Sequence, residues 1–288
     1  MKISYKGKTI YFIFFSSLLL LFAIGISGQD LTTNPHVGYE VKNENGVVSI
    51  SYSFKDQFEN MQEFNFTIAE EKMIRDINKF GVPVWMFETY QVTEKNVKHR
   101  KEVMKEGLFR LNENIIEVDK NAFIEFYSED YCWPIATQIV KALAIYGKDN
   151  RRESIEMAMR FVQDIPYGVP EFADETTHYG GVSPPPELLA RMFGDCDSKA
   201  LLFTGIMVYL INNDEIVFLN QPNHLLTAIE GKPAKGQTYV RYKRKKYLIA
   251  ETAGPGRRKL GEKGNKFSNK VNIEPLVILE REVIPYRK

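Results

Sequence analysis

The chain has almost no excess charge. Its 38 lysines and arginines stand against 37 aspartates and glutamates, a formal net charge of +1. That balance gives no whole-protein field, so no nucleic-acid partner and no charge-held membrane surface is expected. Cysteine is scarce: Cys132 and Cys196 allow one disulfide at most. Histidine is scarce too, with only His36, His99, His178 and His224 from which to choose a general base. No internal repeat is visible. Apart from the first apolar run, no segment is apolar enough to span a bilayer. No cysteine lies near that run, which excludes a lipid-modified cysteine behind it.

The run itself reads as a targeting segment. Lys2, Lys6 and Lys8 form a positive head, and Tyr11 to Ser27 carries no charge. Gly25, Ser27 and Gly28 offer a cleavage point before Gln29. This predicts a signal peptide over 1–28 and export to the periplasm or the outside. An uncleaved membrane anchor is the alternative, since the run is near the lower length for spanning.

Residues 29–130 read as an N-terminal accessory region: a polar leading segment, a strand from Gly46, and a helix capped by Thr67 and Glu70. From residue 131 to 288 the pattern sharpens into a second region. Pro134 suits a first helical turn, Asn150 caps another helix, and Ile155, Ala158, Met159 and Val162 form its core stripe. Gln163 is read on the solvated side. A long Gly- and Pro-rich loop follows, from Ile165 to Pro186, of the kind usually kept for function. Beyond a helix that is apolar almost all round, five short alternating runs predict an antiparallel sheet. Helices first and sheet second argue an α+β class. The basic runs Arg241–Lys246 and Arg257–Lys266 read as solvated turns.

Cys196 sits where a loop turns into the apolar helix. Gly194 permits the turn and Asp195 is a good N-cap. A thiol in a first helical turn faces the positive end of the helix dipole, which favours thiolate, and free N–H groups there can hold an oxyanion. The flanking Asp195 and Asp197 argue against a plain core cysteine. A cysteine nucleophile needs a base, and His224 opens the strand His224–Glu230. His36 and His99 read as surface residues. Glu251 closes an apolar strand, an expensive place for a carboxylate unless it pairs. Each signal alone has a bland rival: a core cysteine or a bridge to Cys132, a core histidine, a solvated strand end. His178, in the long loop, is a weaker candidate for base or substrate contact, and Tyr167 a candidate for lining a groove.

The segments PPPELLARMFGDCDSKALLF, NHLLTAIE and YLIAETAGPG, taken in order, resemble the transglutaminase-like superfamily of papain-like cysteine enzymes. The resemblance covers about residues 150–253. It implies a papain-like α+β core with the catalytic Cys196 at a helix N-terminus, His224 as base and Glu251 as orienting acid, where the family more often has Asp. It implies an acyl-thioester route on amide bonds, as peptidase, amidase or transglutaminase, with a protein or peptide substrate. No metal or cofactor is implied. A non-catalytic binding module on the same fold is the alternative.

Overall fold

The computed structural model describes residues 2–5, 8–11, 31–87, 94–112, 115–265 and 267–286. Two compact units are present, 1–30 and 31–288. In the first, Lys2–Tyr5 (β1) pairs antiparallel with Lys8–Tyr11 (β2). The expected signal segment beyond Tyr11 lies outside the described residues. No helix among the described residues is long and apolar enough to cross a membrane.

The second unit is mixed α+β with antiparallel sheets. It opens on three strands, β3 (Gly38–Glu44), β4 (Val47–Lys55) and β5 (Met61–Ala69). The strand expected from Gly46 is β4, whose even-numbered residues from Val48 to Phe54 are buried. The capping box expected at Thr67 does not form. Thr67 pairs in the sheet with Ser49, and helix α1 (Glu70–Asn78) starts from Ala69 without a side-chain cap. The ladder claims the backbone that a Thr cap needs.

Helices α2 (Glu94–Glu106), α3 (Lys120–Tyr127), α4 (Trp133–Ile145) and α5 (Arg151–Asp164) follow. Pro134 lies in the first turn of α4, as its missing N–H predicts. Asn150 caps α5, its side chain accepting from the Glu153 N–H at 3.2 Å. Helix α5 is buried on all sides from Ser154 to Asp164, so Gln163 is a core residue, not a solvated one. Phe161 on α5 is ringed by Tyr52, Phe54, Phe64 and Phe66, at centroid distances from 5.1 to 6.3 Å. The accessory region expected over 29–130 and the core expected over 131–288 are thus packed into each other.

The long loop contains a short strand, β9 (Thr177–His178), paired with β6 (Val82–Pro83); between them in the chain, β7 (Phe109–Asn112) and β8 (Ile115–Val118) form an antiparallel pair of their own. Helix α6 (Pro185–Arg191) leads into α7 (Cys196–Met207), which is buried almost throughout. The five predicted strands form one antiparallel sheet: β10 (Ile216–Gln221), β11 (His224–Glu230), β12 (Tyr239–Tyr242), β13 (Lys245–Ala250) and β14 (Asn272–Pro275). Their order is β12-β13-β11-β10-β14. Helix α7 packs on β11, where Thr204 and Thr227 meet at 3.0 Å. The turn at Lys243 and Arg244 joins β12 to β13, as the first basic run predicts.

Candidate active site

Asp195 caps α7. Its carboxylate accepts from the Ser198 N–H at 3.0 Å and the Ser198 hydroxyl at 2.7 Å. Cys196 follows in the first turn, only 8% exposed. The other cysteine is remote. Cys132 packs against Gly205, where an added Cβ would stand 2.6 Å from its sulfur. Gly205 is nine residues along the same helix, about 13 Å of rise, well beyond disulfide reach. Both cysteines are free, which removes the bridged reading.

Sheet register brings His224 and Glu251 together. Gln221 pairs with His224 across the tight turn at Pro222 and Asn223, and Asn223 takes the left-handed conformation. Thr227 pairs with Ala250, so Glu251, one residue further, lies diagonally across from His224. Diagonal neighbours on adjacent strands are within reach of long side chains. His224 Nε2 and Glu251 Oε2 stand 3.1 Å apart, and both residues are 6% exposed. The other carboxylate oxygen accepts from the Ala253 N–H at 3.2 Å. His224 Nδ1 is buried and has no hydrogen-bond partner. Gly264 seals the pair from outside, since a Cβ there would stand 2.6 Å from Glu251 Oε2.

Cys196, His224 and Glu251 line one cleft of about 260 Å³, with Tyr167, Thr32, Arg258, Asn265 and the 253–256 turn. The Leu225 backbone N–H hydrogen-bonds the Cys196 sulfur. The thiol itself points elsewhere, donating to Asp197 Oδ1 at 3.3 Å. Asp195, Cys196 and Asp197 gather two carboxylates and the sulfur within 4.8 Å. Burial, then Asp197, then Asp195, push the thiol up to about 12. The thiolate expected from the helix dipole is therefore not the resting state: two adjacent anions and burial outweigh a partial charge. Burial, then Asp197, also raises the Asp195 carboxyl, against its bonds to Ser198.

The remaining sequence candidates divide. Tyr167 joins the cleft; its N–H donates to Thr32 O at 3.2 Å, and it bridges in parallel to Gly194. Burial and then Cys196 raise its phenol. His178 does not line the cleft. Its ring is packed among Phe87 at 4.1 Å, Phe172 at 4.6 Å and Phe109, and burial lowers its pKa. Its part of the loop is held as a strand by β6. His99 is exposed and stacks on Trp85. His36, expected at the surface, is half-buried, with Nε2 at 2.7 Å from the buried Asp164.

Four positions around the site carry no sequence expectation of a role there. Lys199 is fully buried one turn beyond Cys196, donating to Ile165 O and, at 2.7 Å, to Ala253 O. It ties the wall at Tyr167 to the turn behind Glu251. Gln163 donates to Glu251 O at 2.7 Å and to Arg258 O at 2.9 Å. Its place four residues after Met159 in the core stripe was the available signal. Gly254, at positive φ, lets the turn approach, since a Cβ would stand 2.1 Å from Gln163 O. Thr32 arrives through the leading segment, which Asn34 fastens to Asp164 at 2.7 Å and to Pro255 O at 3.1 Å.

The chain matches no family model, no curated protein and no solved structure.

Proposed function

We propose that the protein is an exported cysteine-dependent enzyme of transglutaminase-like type, acting on amide bonds of a protein or peptide. One observation carries the reading: a buried His224–Glu251 pair whose free Nδ1 shares a cleft with Cys196. A buried, unpartnered ring nitrogen is costly unless a substrate or a reacting group uses it.

The His224 Nε2–H donates to the Glu251 carboxylate, which fixes the tautomer and leaves Nδ1 as the basic atom. Because the resting thiol is neutral, its proton must leave during attack. The Cys196 sulfur attacks the amide carbon while Nδ1 takes the thiol proton. The oxyanion is met by N–H groups of the α7 first turn. Collapse expels the amine, which takes the proton back from His224, and leaves a thioester on Cys196. Water then gives hydrolysis, and an amine gives transamidation. The Glu251⁻–His224⁺ pair stabilises the charged intermediate state.

Iodoacetamide labelling at pH 8, mapped by mass spectrometry, tests the assignment. Cys196 labels in the native protein, Cys132 stays protected by burial, and His224→Ala slows Cys196 labelling at least tenfold. Equal rates in the two proteins would sink the base assignment.

The neutral thiol, bonded to Asp197, favours a second reading: a binding module that keeps the groove without turnover. Retention of every activity and binding partner in Cys196→Ala would decide for that module.

A further inference from the structure

The second basic run is not a solvated turn throughout. Gly256, Arg258, Gly264 and Asn265 form one wall of the cleft that holds Cys196. The basic side chains of this segment differ in their engagements. Arg257 is consumed by Glu59 at 2.7 Å and by Asp164 at 3.7 Å. The Arg258 guanidinium has no carboxylate partner among the described residues. Its backbone is nonetheless fixed, because its carbonyl accepts from Gln163 and Arg160. The side chain lies along Gly256, where an added Cβ would stand 3.7 Å from Arg258 Nε. Asn265 adds an exposed residue with an amide side chain to the same lining. Arg258 makes this wall cationic, while Glu251, the carboxylate lining the cleft, is already engaged by His224 and Ala253.

We infer that Arg258 and Asn265 form a carboxylate subsite beside Cys196, and that the acyl donor is a peptide carrying an acidic group next to the amide attacked. This rests on Cys196 as nucleophile. A ligand that fills the cleft covers Arg258. A neutral group there would strip water from a guanidinium and return nothing. A carboxylate returns charge-assisted, forked hydrogen bonds, and Asn265 offers a further N–H donor. Selectivity thus arises as much from rejection of neutral groups as from attraction of anionic ones.

Iodoacetate and iodoacetamide differ in little but the charge of the group carried to the sulfur, and both are used on the full chain with cysteine as reference thiol. Asp195 and Asp197 alone would disfavour iodoacetate at Cys196. With the subsite present, the iodoacetate-to-iodoacetamide rate ratio at Cys196 exceeds that of free cysteine. Arg258→Gln lowers the ratio about fivefold, the upper range for a solvent-touched ion pair. Arg258→Lys keeps part of it, and high salt collapses it. Thermal melting of each variant checks its fold. A wild-type ratio at or below that of free cysteine, or a ratio unmoved by Arg258→Gln, overturns the subsite and leaves the nucleophile standing. Failure of both reagents to label Cys196 overturns the nucleophile and the subsite together.

Discussion

Cys196 carries opposing electrostatic influences. The helix start and the Leu225 N–H favour thiolate, while burial and the carboxylates of Asp197 and Asp195 favour thiol, and the second set wins. Asp197 is the removable part. Asp197→Asn deletes both an anion and the acceptor that holds the S–H. The thiol pKa then falls, and at pH 8, below both values, the thiolate fraction rises roughly tenfold for each unit of fall; alkylation quickens by roughly three- to fourfold, because the less basic thiolate is the weaker nucleophile. The pH profile of the iodoacetamide rate reads this directly, and an unmoved profile would show that Asp197 does not hold the proton. In the mechanism proposed above, Glu251 acts through His224. Glu251→Gln keeps the volume but loses the charge that stabilises imidazolium, and its amide can present N–H to Nε2 and reverse the tautomer. His224-dependent labelling of Cys196 is expected to drop by roughly a hundredfold.

Helix α5 determines whether these side chains meet. One side carries Phe161 into the aromatic cluster of β4 and β5, and the C-terminal turn carries Gln163 and Asp164 to the back of the cleft. Phe161→Ala is expected to cost about 3–5 kcal/mol, because the surrounding rings cannot collapse into the space. Urea denaturation measures it, and a loss below 1 kcal/mol would mean the cluster is not a joint between sheet and helix. The motif with Cys196 was legible because local chemistry writes it: a turn glycine, a cap and an apolar helix. Strand β11 was legible by its alternating and apolar residues. Thr67 misled because a cap and a strand residue look alike until the ladder is known. His178 misled because a Gly- and Pro-rich loop gives no sign that Val82 and Pro83 will pair with it.

Lys199 matters to the whole unit. Its buried amino group, between two carbonyls, joins the α5 exit, the α7 start and the turn after β13. Burial lowers its pKa to about 7, although Asp164, Asp195 and Glu251 pull it upward. The folded value is thus depressed below the ordinary 10.5 of a lysine. Between these values the unfolded chain binds the extra proton, so stability rises with pH from about 7 to 10.5 and is lost on descent through 7. Lys199→Met is expected to flatten that slope in urea denaturation across the window. A slope unchanged in the variant would assign it to other groups.

Local pattern alone was enough for helices α1, α4, α5 and α7, the five strands of the second sheet, the α+β class, and Cys196, His224 and Glu251 as candidate partners, while α2 and α3 left no readable pattern. These follow from caps, periodicity and the cost of a carboxylate on an apolar strand, all of which are local. The rest came from the way distant segments pack together. That packing placed Cys132 at the far end of α7, moved His178 among aromatic rings, and brought Thr32, Lys199 and Arg258 to the cleft. It also reversed the sign of the thiol shift. The reason is common to all of these: burial and charge at a point depend on which distant segments fold over it, and Asp164 meets His36 across 128 residues of chain.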